Sequence, residues 1–245
     1  MVSKPPRRSS RKPPIAVPAS GEQADMNGVT PARQARSEET FLSLINAGSD
    51  ALEAGSLEAM TIGDIARAAN VSVGAFYGRF ENKDAFFTAL QQIKIAKVWE
   101  HMQQMLKGLE DRDASAREFL EAIAHFWVQI FREHRGLYLA AVKHESTQPG
   151  AWTPFKRLGW SGSALIAQML LPRLNKKVDA LQVHLAMQFV NGLLVNATVN
   201  DPGPIELNDP DMEEHVARFL CLFLGVDRKP RATKSPDRNL YEGEL

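Results

Sequence analysis

Between residues 61 and 83 the chain spaces hydroxyl, phenol and cationic side chains in a way that suits a polyanion: Thr61, Ser72, Tyr77, Arg79 and Lys83. Such groups hydrogen-bond phosphate oxygens, and small residues beside them let a backbone come close to its target. The small residues are present at Gly74, Ala75 and Gly78, next to Val73. Local patterning indicates what holds these groups. Thr61 followed by Asp64 is a shortened capping box, which starts a helix. Ile62, Ile65, Ala66 and Ala69 then mark one apolar face of two turns. Asn70 suits the left-handed conformation that ends such a helix, and Val71 turns back to the core. Ser72 caps a second short helix, Val73 to Arg79, with Phe76 and Phe80 facing inward at i and i+4. Asn82 caps a third at Lys83, where a cation beside the free N–H groups of a helix start makes a phosphate clamp.

Two short helices joined by about four residues, with small Ala66 and Ala69 at their crossing, predict a helix-turn-helix. Its second helix would fit a DNA major groove. Ser72, Val73, Gly74, Ala75, Tyr77, Gly78 and Arg79 are the residues expected to face outward from it.

The elements around this motif read as helices throughout. A first helix is expected from Ala35 to Ala54, with Phe41, Leu44, Ile45, Gly48, Ala51 and Leu52 on one face. A long helix follows Asn82, and others are expected over 115–135, 137–148, 152–170, 178–200 and 210–225. Prolines between residues 149 and 210 fall at plausible boundaries, and no segment shows sustained strand alternation. Residues 1–32 and 227–245 are rich in Pro, Ser and Arg without periodicity, and they are expected to be disordered arms.

Of the 245 residues, 44% are hydrophobic and 24% charged, ordinary values for a globular protein. No apolar run approaches the roughly 18 residues of a membrane span, and no apolar stretch follows the basic N-terminus as a secretory signal would require. The single cysteine, Cys221, lies in an apolar stretch and is expected in the core of a cytoplasmic protein. The zero net charge hides an asymmetry. Residues 1–36 hold seven basic and two acidic side chains, whereas residues 37–84 hold three basic and eight acidic ones. The motif therefore sits in an acidic unit, although phosphate neutralisation supplies much DNA affinity. The expected resolution is that Arg67, Arg79 and Lys83 cluster on the docking face. The basic arm, with Arg33 and Arg36 nearest the duplex, adds the rest.

Catalysis is not expected. The six histidines show no metal-binding spacing such as His-Glu-x-x-His, and there is no phosphate-cradling glycine loop and no Gly-x-Ser-x-Gly elbow. No cofactor or metal is expected either.

The run Thr61-Ile-x-x-Ile65-Ala66-x-x-Ala69-x-Val71-Ser72-x-Gly74-x-Phe76-Tyr77-x-x-Phe80-x-Asn82-Lys83-x-x-Phe86 resembles the DNA-binding signature of the TetR family of bacterial transcriptional regulators. The resemblance implies that Thr61, Tyr77 and Lys83 touch phosphates, while Ser72, Val73, Ala75 and Gly78 face bases. Two places depart from the pattern: Ser56 and Leu57 at the end of the first helix, and Gly78, where a bulky residue is frequent. The resemblance also implies an all-α fold, with a three-helix DNA-binding domain over 33–84 and a ligand-binding and dimerisation domain over 85–226. Its expected activity is repression at a palindromic operator, relieved by a small molecule. The alternative is a helical interaction module with weak or no DNA binding.

A single motif reads about one half-site, so a homodimer is expected on symmetry grounds. The helix at 178–200 is apolar on two faces, one carrying Leu181, Leu185, Phe189 and Leu193, the other Val183, Met187, Val190 and Leu194. An element apolar nearly all round must be covered on several sides. The resemblance implies that it pairs, together with 210–225, against a second copy. For a small apolar or aromatic ligand the candidates are Met102, Met105, Trp127, Phe131, Trp152, Phe155 and Phe189, with His144 and Asn191 as polar anchors. The same residues would equally suit a plain core.

Overall fold

The computed structural model describes residues 35–54, 59–146, 149–175, 177–200 and 203–226. Arg33, both expected arms and the 55–58 departure lie outside these residues. Arg36 falls within the first helix, its side chain outside the described set. Among the described residues the fold is all-α, without strands.

Three helices make the N-terminal unit: α1 (Ala35–Ala54), α2 (Ile62–Ala68) and α3 (Val73–Tyr77). The caps are those the residue types call for. Thr61 Oγ1 accepts the Asp64 N–H at 3.0 Å and Ser72 Oγ accepts the Ala75 N–H at 3.1 Å. Asn70 sits at φ 55°, and Val71 N–H reaches back to the Ala66 carbonyl at 2.9 Å. The second helix of the motif ends at Tyr77, two residues earlier than Arg79, because Gly78 already serves as its C-cap. A knot of rings fills the centre. Phe76, Phe80 and Phe86 are fully buried with centroids 5.0–5.4 Å apart, and Phe41 stacks on Phe80 at 5.5 Å. Phe86 also explains Gly48, since a Cβ there would stand 2.2 Å from the ring.

The long α4 (Lys83–Asp111), capped by Asn82 Oδ1 on the Ala85 N–H at 2.8 Å, runs from this unit into the body. There follow α5 (Ala116–Glu133), α6 (Arg135–Glu145), α7 (Thr153–Leu170), α8 (Ala180–Val199) and α9 (Met212–Phe223). Two of these starts carry full capping boxes, Ser115 with Glu118 and Asp179 with Gln182. Helix α5 packs chiefly on α9, and α7 packs on both α8 and α4. Glu213 at the start of α9 takes the Arg132 guanidinium at 2.9 Å, the Gln129 amide at 2.7 Å and His125 at 2.8 Å, which locks α9 onto α5. Cys221 is buried in the core.

Besides α4, the two halves meet where α1 crosses α6. Gly136 lies so close to α1 that an added Cβ would stand 2.2 Å from the Leu52 carbonyl oxygen. Its N–H donates to the Glu53 carboxylate at 2.8 Å, so α1 supplies the missing cap of α6.

Candidate nucleic-acid interface and internal cavity

Helix α3 presents a compact outward face. Ser72, Gly74 and Gly78 are exposed, Val73 is 45% exposed and Tyr77 55%. The caps at both ends leave those side chains free to point away while Phe76 anchors the opposite side. Ala75 and Arg79 are half-buried, because successive residues of a helix point about 100° apart and the side that carries Phe76 packs inward.

The cations are less available than their sequence positions suggest. Arg67 donates to Asp64 at 2.8 Å, one turn back on α2, and so is tied within the motif rather than free on the docking face. The Thr61 hydroxyl also hydrogen-bonds the Asp64 carboxylate. That hydroxyl, and then Arg67, holds the Asp64 carboxyl below the usual range. Lys83 Nζ donates to the Met60 carbonyl at 3.1 Å, linking α4 to the segment before Thr61. Thr61 and Lys83 therefore stand side by side at the mouth of the motif, held by backbone as well as by each other's neighbours. The arrangement is a stiff head with few unengaged positive charges.

The second feature is a cavity of about 450 Å³ between α5, α6, α7 and α8, within the roughly 300–1,000 Å³ usual for small-molecule sites. Of the residues singled out in the sequence, Trp127, Phe131, Trp152, Phe155 and Asn191 line it. Four do not. Met102 is fully buried on α4, and Met105 lies beside it, half-buried against the core. His144 packs edge-on against Phe87, with Nε2 3.5 Å from Asp84 at the start of α4. Phe189 faces outward, 54% exposed, against Phe219 and Phe223.

Wall residues that the sequence reading missed include Tyr138 on α6, Ser163 on α7, and His184 and Gln188 on α8. Tyr138 stacks on Phe131 with centroids 4.1 Å apart and planes 8° from parallel. Burial alone pushes its phenol above the ordinary range. Ser163 Oγ donates to the Trp160 carbonyl at 2.9 Å and meets His184 Nδ1 at 2.8 Å. The Trp152 side of the wall is set by Glu145 at the end of α6. Its carboxylate accepts the backbone N–H groups of Gly150 at 3.0 Å and Trp152 at 2.6 Å, and the Trp152 bond, more than that from Gly150, keeps it below the usual range. Polar residues set among the apolar ones of α7 and α8, such as Ser163, His184, Gln188 and Asn191, were a usable signal for this wall. Which faces turn toward each other was not.

Residues 44–90 match the sequence family described as bacterial regulatory proteins of the tetR family. The chain carries a tetR-family DNA-binding domain. That match covers α2, α3 and most of their supports, from Leu44 in α1 to Leu90 in α4. In overall fold the chain is similar to a putative TetR-family transcriptional regulator from Mesorhizobium loti, at TM-score 0.64 and 18% identity, covering 79% of this chain and 98% of that one. A transcriptional regulator from Cytophaga hutchinsonii gives TM-score 0.56 and 17% identity over 74% of this chain and 93% of the other. A tetR-family transcriptional regulator from Streptomyces coelicolor gives 0.54 and 16% over 77% and 80%. No curated protein matches the chain by sequence. The tetR fold thus extends through the α4–α9 body, well beyond the matched residues. The family is one of regulators, not enzymes. No helix among the described residues is long and apolar enough to cross a membrane.

Proposed function

We propose that this tetR-type chain is a ligand-responsive repressor that binds a palindromic operator as a homodimer and leaves it when a small molecule fills the body cavity. The observation that carries the reading is the outward face of α3, capped at both ends and bare of bulky obstruction. Thr61, Tyr77 and Lys83 would meet phosphates on either side of the groove, and Ser72, Val73, Gly74, Ala75 and Gly78 would approach base edges. Arg79 adds charge at the rim. A cytoplasmic location follows from that role.

The dimer reading rests on α8. Its Val183, Met187, Val190 and Leu194 face is buried in the chain's own core, while Leu181, Phe189 and Leu193 are 63%, 54% and 42% exposed. Leu222 on α9 is 68% exposed beside them. An apolar patch across two adjacent helices is what a second copy would cover.

Helix α6 is the natural link between cavity and head. Tyr138 and, through Glu145, Trp152 place α6 on the cavity wall, while Gly136 meets α1 and His144 meets Asp84 on α4. A ligand that shifts α6 would move both supports of the motif and change the separation of the two heads. Because Arg67 and Lys83 have partners within the head, the basic N-terminal arm, Arg33 and Arg36 included, would supply further phosphate contacts. The acidic head also favours a second reading, an interaction module with weak or no DNA binding.

Selection of bound sequences from random DNA, with gel shift on the DNA flanking the gene, separates the two. The expected outcome is a two-fold symmetric site bound by the native chain and lost in Phe189→Glu, which sediments as a monomer. A dimer that selects no sequence would favour the interaction module.

A further inference from the structure

The cavity has a deep wall that the chain covers and an outer wall that it does not. Phe131, Phe155 and Leu158 on the deep side are all buried. On the outer side Trp160 of α7 is 55% exposed, Leu181 and Leu185 of α8 are 63% and 36% exposed, and Gln188 is exposed as well. The mouth of the cavity therefore lies between the outer sides of α7 and α8. Trp160 leans toward the His184 ring there, with centroids 5.9 Å apart.

The α8 residues of the mouth belong to a longer stripe. Leu181, Leu185, Gln188 and Gly192 recur at steps of three and four, and Phe189 and Leu193 stand beside them. Phe189 and Leu193 are exposed but do not line the cavity, so a small molecule inside it leaves them bare. One apolar surface laid along α8 would cover both the stripe and the mouth. Gly192 bears on what that surface is. Glycine in mid-helix weakens the helix, and an added Cβ at 192 would meet nothing within 4 Å among the described residues. The chain's own packing thus gives no reason for it, whereas a helix crossing α8 at that point could approach closely over it. The α8 of a second copy is such a helix, because in a two-fold pair the same patch meets itself.

We infer that the second copy closes the cavity: its α8 lies over the mouth formed by Trp160, Leu181, Leu185 and Gln188, so that a ligand is fully enclosed only in the dimer. This rests on the dimer and effector-site readings above and adds that the two share one surface. A ligand held more tightly by the dimer than by the monomer must tighten the dimer by the same factor, because the linkage is reciprocal. An occupant then acts on the spacing of the two heads at the surface between the copies as well as through α6.

The test compares the full native chain with Leu193→Glu, which leaves the cavity lining intact. The variant is expected to sediment as a monomer and to retain the apolar probe N-phenyl-1-naphthylamine about tenfold more weakly in equilibrium dialysis, a factor usual for coupled sites. The same probe should lower the concentration at which the native dimer dissociates by a similar factor. Thiol labelling reads the mouth directly, since the single native cysteine, Cys221, is buried. A maleimide should label Gln188→Cys several-fold more slowly in the dimer than in the Leu193→Glu background. Equal probe affinity in monomer and dimer, or equal labelling rates, overturns the shared closure while leaving the dimer and the effector cavity standing. If the native chain retains no probe, the labelling decides. A native chain that sediments as a monomer overturns this inference and the dimer reading together.

Discussion

The reading head and the cavity are built by opposite means. The head is assembled from neighbours in the chain: Thr61, Ser72 and Asn82 each cap the helix they begin, and Phe76, Phe80 and Phe86 meet within eleven positions. The cavity draws Trp127, Tyr138, Phe155 and Asn191 from four helices spread over more than sixty residues. A locally specified unit tolerates change elsewhere in the chain, because its geometry is held by short-range hydrogen bonds and one ring cluster. A cavity is what remains between helices after they pack, so its shape depends on every helix around it. That difference suits the two tasks: a stiff head that keeps one docking face, and an adjustable body that answers to an occupant.

The largest test of this separation is Phe76→Ala. Removing a fully buried ring from the head should cost about 3–5 kcal/mol and abolish DNA binding. The body should keep its own thermal transition and its ligand binding, seen by circular dichroism and dialysis. Loss of the body in the same transition would show that head and body form one cooperative unit.

Next in size is Gly136→Ala, which targets the joint between them. Its Cβ would stand 2.2 Å from the Leu52 carbonyl, so α6 must move off α1, at about 1–3 kcal/mol. The variant should still bind DNA and still fill its cavity, but gel shift should no longer respond to ligand. A full response in this variant would place the coupling in α4 alone.

The smallest effect concerns pH and contrasts one carboxylate from each region. Burial raises the Glu213 carboxyl, but hydrogen bonds from His125 and Gln129 and the Arg132 charge outweigh it and lower the group below its ordinary 4.5. Its contribution to stability is therefore full above that value and is lost as pH falls through the lowered one. Thermal unfolding of the native chain and Glu213→Gln should differ at neutral pH and converge as pH drops below about 4.5. Asp64 is shifted the same way but is fully exposed, so Asp64→Asn should barely alter that profile.

Most of the head was legible before any coordinates. Cap residues, the left-handed Asn70 and the i, i+4 phenylalanines act over one or two turns, so residue type and spacing suffice to place them. The exceptions are instructive. Lys83 looks like a free cation in sequence, but the Met60 carbonyl, 23 residues back, takes it up in the fold. Arg67, by contrast, pairs with Asp64 three residues back on its own helix, a spacing that sequence alone displays. In the body, the two apolar faces of α8 were visible as such. Their assignment, Val183, Met187, Val190 and Leu194 inward and Leu181, Phe189 and Leu193 outward, was not. Met102 and Phe189 have the right chemistry for a ligand wall, but Met102 is buried against Gly162 of α7 and Phe189 turns outward from α8. Tyr138 went unnoticed because nothing near it in the chain distinguishes a stacked core ring from a wall.

By itself, then, the order of residues 61–86 determined a helix-turn-helix and the face it presents, because each step is a local hydrogen bond or a one-turn contact. Tertiary structure alone decided which aromatic residues enclose empty space, that Lys83 meets the Met60 carbonyl, and that α6 touches cavity and head at once. Those are outcomes of helix–helix packing between segments far apart in sequence, where register and rotation follow from the fit of many side chains rather than from any one of them.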